Sequence, residues 1–598
     1  MREFSLPALY EVPADGNLTD IVRRNAAQHP DVAVIARKSG GAWRDVTARQ
    51  FLAEVHTAAK GLIASGVQPG DRVGLMSRTR YEWTLLDFAI WSAGAITVPV
   101  YETSSAEQVS WILGDSGATA CVVESAAHAA AVESVRQELP ALKNVWRIDA
   151  GAVEELGRLG ADVTDGAVEE RSSIAKADDP ATIVYTSGTT GRPKGCVLTH
   201  RSFFAECGNV VERLRPLFRT GECSVLLFLP LAHVFGRLVQ VAPMIAPIKL
   251  GCVPDIKNLT DELAAFRPTL ILGVPRVFEK VYNAARAKAQ ADGKGRIFDK
   301  AADTAIAYSK ALDSSSGPSF GLRIRHKVFD RLVYSKLRAV LGGRGEYAIS
   351  GGAPLGERLG HFFRGIGFTV LEGYGLTESC AATAFNPWDR QKIGTVGQPL
   401  PGSVVRIADD GEVLLHGEHL FKEYWNNPGA TAEALADGWF HTGDIGTLDE
   451  DGYLSITGRK KEIIVTAGGK NVAPAVIEDR IRAHALVAEC MVVGDGRPFV
   501  GALVTIDEEF LGRWCAEHGK PAGSTAASLR EDPDLLAAVQ AAVDDGNSAV
   551  SKAESVRKFR VLGAQFTEDS GHLTPSLKLK RSVVAKDYAD EIEAIYAK

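Results

Sequence analysis

The chain reads as an α/β protein with three successive textures: a long alternation of strands and helices, a β-rich stretch, and a compact α+β unit. Three observations predict this. Apolar strand-like runs and helical periodicity alternate to about residue 370, the pattern of parallel sheets covered by helices. From about Val404, short strand-like runs are separated by the turn signals Asp409-Asp-Gly411, His416-Gly417, Asp437-Gly438 and Asp451-Gly452. After Gly458 the chain restarts with its own strand, glycine pair, helix and further strands, over about one small domain's length.

Taken in order, Leu18, Ile21, Val22 and Ala26 recur at helical spacings, with Asn17 placed to cap them. A second helix follows Val46-Thr47. The turn Gln68-Pro-Gly-Asp71 leads into a strand, Arg72-Val-Gly-Leu-Met-Ser77, then a helix around Tyr81 to Ala93 and a strand from Ala95 to Val100. Residues 283–345, rich in Ala, Lys and Arg, predict a helical excursion on the surface. Beyond a boundary at Gly458-Arg-Lys-Lys461, the pattern predicts a strand over Glu462 to Thr466 and a helix near Pro474 to Ala485. Strands follow at Glu489 to Gly494 and Val500 to Asp507. No internal repeat is evident.

At 598 residues the chain is too long for one ordinary core, and with 45% hydrophobic and 24% charged residues it is neither disordered nor fibrous. The net charge of −7 comes without a basic stripe, which excludes an ordinary nucleic-acid binder. Eight cysteines form no CxxC pair and have no histidine at metal-ligand spacing, the usage of a reducing, cytoplasmic compartment. Met1 to Asp15 carries Arg2, Glu3 and Glu11 with no apolar core, so a secretory signal is not expected. The longest apolar stretches, Trp83 to Val100 and Leu238 to Val253, are broken by Asp87 or by Pro243, Pro247 and Lys249, and would span a bilayer poorly. Membrane contact is therefore expected to be peripheral, at the inner face, and no amphipathic anchor stands out.

The most informative segment is Tyr185-Thr-Ser-Gly-Thr-Thr-Gly-Arg-Pro-Lys-Gly195. Gly188, Gly191 and Gly195 let the backbone approach a polyanion, Thr186, Ser187, Thr189 and Thr190 supply hydroxyls, and Lys194 adds a positive charge. The spacing from Gly188 to Lys194, with Pro193 where a helix would open, excludes a Walker A loop. The segment resembles the phosphate loop of the adenylate-forming superfamily: acyl-CoA synthetases, insect luciferases and the adenylation domains of peptide synthetases.

Further segments resemble the same superfamily. In Leu371-Glu-Gly-Tyr-Gly-Leu-Thr-Glu-Ser379, Gly373 and Gly375 permit a tight bend, and Tyr374 offers a face for adenine. Thr377 can donate to the α-phosphate, and Glu378 is a hard oxygen ligand for magnesium. Gly438-Trp-Phe-His-Thr-Gly-Asp444 places Asp444 to accept from the ribose hydroxyls, with Arg459 directed at the same sugar. Ser350-Gly-Gly-Ala-Pro354 resembles the adenine-edge loop through Gly351, Gly352 and Ala353. Leu573-Thr-Pro-Ser-Leu-Lys-Leu-Lys-Arg581 resembles the motif that ends in a catalytic lysine, needed as charge builds on the α-phosphoryl oxygens. Register selects Lys578 with Lys580 as the rival, because Leu577 replaces the commoner glycine; a solvated basic run on a helix is the plain alternative.

The resemblance implies a large N-terminal domain (1–458) of two parallel-rich sheets packed with helices, with a β-rich subdomain at about 404–457. A hinge at 459–461 centred on Lys461 and a small mobile α+β domain (462–598) would follow. It implies ATP, magnesium and coenzyme A, with Gly468, Gly469 and Lys470 beside the pantetheine tail. Phe228-Leu-Pro-Leu-Ala-His-Val-Phe-Gly-Arg237 resembles the segment whose histidine, here His233, lines the acyl site; a buried structural histidine is the alternative. Val274-Pro-Arg-Val-Phe-Glu-Lys-Val-Tyr282, Val100-Tyr-Glu-Thr-Ser-Ser105 and the insert before Gly342 look like the long-chain fatty acyl-CoA synthetase branch. Leu238 to Val253 and Leu270 to Val274 could line an acyl tunnel or be core. A fatty acyl-AMP ligase feeding a carrier protein, a medium-chain or aromatic acid synthetase, and a non-catalytic sensor on the same fold are the rival readings. A monomer or homodimer is expected.

Overall fold

The computed structural model describes residues 1–186, 192–574 and 577–597. Two large sheets carry most of the chain. One has seven strands, in the order Glu423–Tyr424, Lys194–Thr199, Pro180–Thr186, Ile96–Val100, Arg72–Met76, Ala120–Val123, Asn144–Arg147. It is parallel from Pro180–Thr186 onward and antiparallel at the other edge. The second, of nine strands, has a parallel centre in the order Thr369–Tyr374, Tyr347–Ser350, Leu270–Gly273, Ser224–Leu227, Lys249–Cys252, Ala33–Ser39.

Local chemistry starts the helices: the one predicted after Val46-Thr47, and one after Ser105 that the pattern did not give. Thr47 closes a reciprocal capping box with Gln50 ahead of Ala48–Ala64, and Ser105 does the same with Gln108 ahead of Ala106–Ser116. Asn17 acts one residue earlier than a formal cap: its carboxamide oxygen accepts the Thr19 amide at 3.0 Å while its nitrogen donates to Ser172 and Ala175 carbonyls. The helix Tyr81–Ser92 is buried on nearly every side, as an element enclosed by other layers must be. Its Asp87 meets Arg237 at 2.9 Å with both side chains fully buried. Gln240 and Thr182 complete the cluster, and Trp83 and Trp91 face the guanidinium at 5.0 and 5.3 Å. Leu238 to Val253 and Leu270 to Val274 are core here, forming the later part of the helix Val234–Ile245, the strand Lys249–Cys252 and the strand Leu270–Gly273.

The β-rich stretch is a five-stranded antiparallel sheet, Glu3–Ser5, Ser403–Ile407, Glu412–Gly417, Phe440–Leu448, Leu454–Arg459. Its outer strand comes from the extreme N-terminus, about which the sequence pattern was silent. The excursion is helical as expected: Pro275–Ala291, Gly295–Leu312, Phe320–Phe329, a π-type turn and Ser335–Val340. It packs closely on Glu357–Gly365, where a side chain at Gly365 would overlap the Ala305 carbonyl. Residues 464–595 hold their own apolar cores, around the strands Val487–Val493, Val500–Ile506 and Val556–Val561. No helix among the described residues is long and apolar enough to cross a membrane.

Candidate active site

The site gathers where the parallel strands of both large sheets end. Thr186 closes the strand Pro180–Thr186 and Lys194 opens its antiparallel return, the two residues being register partners with Thr186 Oγ1 3.5 Å from Lys194 O. The base of the phosphate-loop hairpin is thus fixed. Ser187, Gly188, Thr189, Thr190 and Gly191 lie outside the described residues. Trp111 braces the base, donating from Nε1 to Pro193 O at 2.9 Å while its ring lies 4.7 Å from the Arg192 guanidinium. The Lys194 ammonium sits 5.0 Å from the ring of Tyr424, whose hydroxyl donates to Glu378 Oε1 at 2.7 Å. Burial, and then Glu378 itself, push the Tyr424 hydroxyl far up, so it remains a donor.

Glu378 sits in one tight turn, Thr377–Ser379, whose fold is forced by small residues and a buried acid. A side chain at Gly375 would overlap the Ala381 carbonyl, and Cys380 (φ 58°) and Ala381 (φ 113°) take left-handed backbone that non-glycine residues resist. Glu206, fully buried on the helix His200–Arg213, holds this loop by accepting the Ala382 amide. Its Oε2 has no hydrogen-bond partner among the described residues. Burial pushes the Glu206 carboxyl well above its usual range, against the Cys380 and Ala382 contacts that favour the anion.

Tyr374, at the end of the strand Thr369–Tyr374, donates from its hydroxyl to Asp444 Oδ2 at 2.6 Å. Asp444 and Arg459 face each other across an antiparallel pair, with Arg459 Nε 3.0 Å from Asp444 Oδ1. Burial raises the Asp444 carboxyl, while Arg459 and Tyr374 pull it back toward the anion. Gly373 packs against Phe385, and Gly351 follows the neighbouring strand, its amide on Gly273 O at 3.2 Å and the Phe235 ring at contact distance from where a Cβ would stand. Gly352 (φ 85°) and Ala353 continue outward, exposed. Glu372, one residue before Gly373, accepts the Leu355 amide at 2.8 Å, and burial lifts its carboxyl to about 7.

His233 caps the helix Val234–Ile245: Nδ1 accepts the Phe235 amide at 3.1 Å. That bond leaves Nε2 as the protonated nitrogen. Burial, reinforced by Lys578, lowers its pKa to about 4, so the ring is neutral at physiological pH.

Lys578 arrives from the C-terminal unit. It follows Leu577, a non-glycine residue at φ 59°, in a short hairpin: Lys578 N donates to Thr574 Oγ1 at 3.0 Å, Thr574 N to Lys578 O at 2.8 Å, and Leu573 bridges Leu579. The helix begins only at Arg581, which overturns the reading of a basic run on a helix: a left-handed residue cannot continue one. Arg581 is not solvated either, since it binds Glu478 at 2.7 Å and Val492 O at 2.6 Å. The Lys578 side chain is exposed; the protein crowded around it, and then the Arg459 charge, lower its pKa, while Asp444 and Glu378 act the other way. Lys580 instead precedes the helix, with its amide on His572 O at 2.8 Å. Polar contacts between the C-terminal unit and the rest of the chain include Arg276 with Asp507 at 3.2 Å, and Thr103 Oγ1 with Glu568 at 2.6 Å.

Other expected residues are elsewhere. Gly468, Gly469 (φ 75°) and Lys470 form the exposed tip of the hairpin Ile464–Val465/Asn471–Val472, with Lys470 3.4 Å from Glu554. Lys461 is exposed in the single turn Lys460–Glu462, whose Lys460 ties back to Asp410 at 2.5 Å. Among the described residues no three His, Cys, Asp or Glu side chains converge as a metal cage.

This arrangement defines a class. A model for AMP-binding enzymes matches residues 22–425 and one for the AMP-binding enzyme C-terminal domain matches 461–598, and the chain belongs to this family. It is 52% identical to the long-chain-fatty-acid–CoA ligase FadD15 of Mycobacterium bovis and, equally, of Mycobacterium tuberculosis, over the full length of each. It is 31% identical to the long-chain-fatty-acid–CoA ligase ACSBG2 of Xenopus laevis over 95% of this chain and 82% of that one. Among solved structures it resembles a Mycobacterium tuberculosis fatty acyl CoA synthetase (TM-score 0.63, 24% identity, 96% of this chain and 99% of that one). It also resembles the adenylation domain of a Mycobacterium chelonae carboxylate reductase (TM-score 0.72, 22% identity, 98% and 91%).

Proposed function

We propose that this protein activates a long-chain fatty acid with MgATP to its acyl-adenylate and then transfers the acyl group to coenzyme A, yielding acyl-CoA, AMP and pyrophosphate. The observation that carries the reading is the convergence of Lys578 on Glu378, Asp444, Arg459 and His233. The chain length follows the named activity of the full-length relatives at 52% identity.

In the first step a carboxylate oxygen bonds to the α-phosphorus, and the bond to the β-phosphate oxygen breaks with its electron pair leaving on pyrophosphate. The chain's task is to place anions and neutralise growing charge. Asp444, with lone pairs beyond those used by Tyr374 and Arg459, accepts the ribose hydroxyls. Tyr374 lies against adenine with Gly351, Gly352 and Ala353 at its edge. Thr186, Lys194 and the intervening loop hold the β- and γ-phosphates and Thr377 meets the α-phosphate; Glu378 would hold magnesium, which would supply positive charge against the phosphate oxygens. Lys578 carries positive charge to the oxygens of the α-phosphoryl group. His233, neutral, presents its Nε2 proton to the acyl carboxylate and transfers none.

In the second step the thiolate sulfur of coenzyme A attacks the acyl carbon and the bond to AMP breaks. Residues 462–598 swing about 459–461, with Lys461 as pivot, withdrawing Lys578 and bringing Gly468, Gly469 and Lys470 to the pantetheine tail. The body of the enzyme is then 1–458, with 404–457 its β-rich part. The enzyme works in the cytoplasm as a monomer or homodimer, peripherally at the inner face of the membrane where its substrate dissolves.

The test is AMP release from purified protein with MgATP and acetate, octanoate, palmitate or benzoate, each with and without coenzyme A. Turnover with palmitate that requires coenzyme A is expected. Bound acyl-AMP without thioester would replace this reading with a ligase that serves a carrier protein, and silence with every acid would remove the enzyme reading.

A further inference from the structure

One segment of the helical excursion has an outer face that nothing among the described residues covers. The helix Phe320–Phe329 runs through the π-type turn Asp330–Tyr334 into Ser335–Val340. Its inner side is fully engaged: Leu322 is buried, Phe329 and Val333 pack on the main core, His326 Nε2 meets Gly365 O at 2.6 Å, and the buried Tyr334 donates to Ala301 O at 2.7 Å. On the other side stand Phe320, Ile324, Val328 and Leu332, which are 79, 51, 51 and 53% exposed. A spacing of four moves each residue only about 40° around a helix, so the four form one stripe. Single exposed apolar side chains are ordinary, but a contiguous row of them marks an interaction surface.

The charge around the stripe identifies what it meets. Residues 320–340 contain six Lys and Arg and a single acidic residue, Asp330, on a chain whose net charge is −7. Asp330 is taken by Arg338 at 2.7 Å. Arg325, Lys327, Arg331 and Lys336 make no ion pair among the described residues, and the first three flank or interrupt the stripe itself. We propose that this face docks onto a bilayer containing anionic phospholipid. The apolar stripe enters the boundary between headgroups and acyl chains, and the basic residues lie at the level of the lipid phosphates. A second copy of the chain fits less well, because a twofold contact would bring the same cations face to face.

The inference deepens the proposed peripheral membrane contact by naming its surface and its lipid. It depends on the fatty-acid reading only for its purpose.

The test uses the full-length protein without ATP or acid, sedimented with vesicles of phosphatidylcholine alone or mixed with phosphatidylglycerol. Binding to the mixed vesicles, weaker binding to the neutral ones and release by salt are expected. Each basic residue near an anionic leaflet is worth about fivefold in partitioning. Ile324→Asp, and separately the pair Arg325→Glu with Lys327→Glu, should each lower partitioning at least tenfold while the thermal midpoint holds. Wild-type protein that stays in the supernatant overturns the proposal, as do variants that sediment like wild type. So does an Ile324→Asp variant that dissociates a dimer without changing vesicle binding. Because no turnover is read, failure here leaves the ligase reading standing, and failure of the AMP-release assay leaves this one standing.

Discussion

Replacing Glu206 by Gln tests the idea that a buried, neutral acid holds the Glu378 loop. In the folded chain Glu206 accepts the Ala382 amide with one oxygen, and the other has no hydrogen-bond partner among the described residues. Gln keeps the acceptor and puts an equally unpartnered NH2 where the carboxyl's OH would be, so at low pH the two proteins should differ by less than about 1 kcal/mol. Burial raises the folded carboxyl well above the 4.5 of an exposed glutamate, whereas the unfolded chain ionises near that value. As pH rises past 4.5 the unfolded state alone sheds this proton, so wild type loses stability until the folded pKa is reached. The loss is about 1.4 kcal/mol for each pH unit between the unfolded and the folded pKa. The Gln variant has no such term. Urea unfolding followed by the fluorescence of the buried Trp83 and Trp91, from pH 5 to 8, should therefore show a midpoint gap in favour of Glu206→Gln that widens with pH at constant slope m. Parallel curves would mean that Glu206 ionises normally, and would refute the neutral-acid anchor. Glu206→Ala, which removes the acceptor and opens a cavity, should cost about 2–4 kcal/mol at acid pH.

Other expectations concern the site directly. Gly375→Ala must displace the Ala381 carbonyl, and should lower the rate of adenylation about a hundredfold while the unfolding midpoint changes little, read by pyrophosphate exchange. Asp444→Ala leaves the Tyr374 hydroxyl and Arg459 without their shared acceptor, and should raise the KM for ATP at least tenfold, measured by initial rates at saturating acid. His572 lies between Ser570 Oγ (2.8 Å) and Asp587 (3.0 Å), and its carbonyl accepts the Lys580 amide, so it steadies the Lys578 hairpin. His572→Ala should slow adenylation about tenfold and spare thioester formation from supplied acyl-adenylate.

How much of this was legible depends on whether the signal was local. The glycine-spaced turn between Thr186 and Lys194 and the helix start at Thr47 are written in short stretches, where glycine spacing and capping residues act on their neighbours; the capping box at Ser105 is equally local but went unread. The meeting of Tyr374, Asp444, Arg459 and Lys578 was readable only through resemblance, because each segment alone is an ordinary turn. Tyr424, the partner of Glu378, stayed invisible: it lies 46 residues away on a two-residue strand. Glu206 had one faint signal, a charge among Phe203, Phe204, Ala205 and Cys207 on a helix buried nearly all round. The strand Glu3–Ser5 is too short for any periodicity, and its partner lies some four hundred residues on. The Phe320–Leu332 stripe was hidden by the Lys and Arg around it, which read as a plain surface until exposure distinguished the outer apolar side chains from the inner ones. Leu577, a bulky residue at a left-handed position where the commoner motif has glycine, left Lys580 as a rival to Lys578 and kept the plain helix open as an alternative.

The central claim is that Lys578 serves the first step and leaves before the second. Its most direct test measures both half-reactions in Lys578→Ala and Lys580→Ala: acid-dependent pyrophosphate exchange, and thioester formation from supplied acyl-adenylate and coenzyme A. The account predicts that Lys578→Ala loses about 10²- to 10³-fold in the first and little in the second, and that Lys580→Ala keeps both. A Lys578→Ala enzyme that adenylates normally, or one that loses both half-reactions equally, would contradict it.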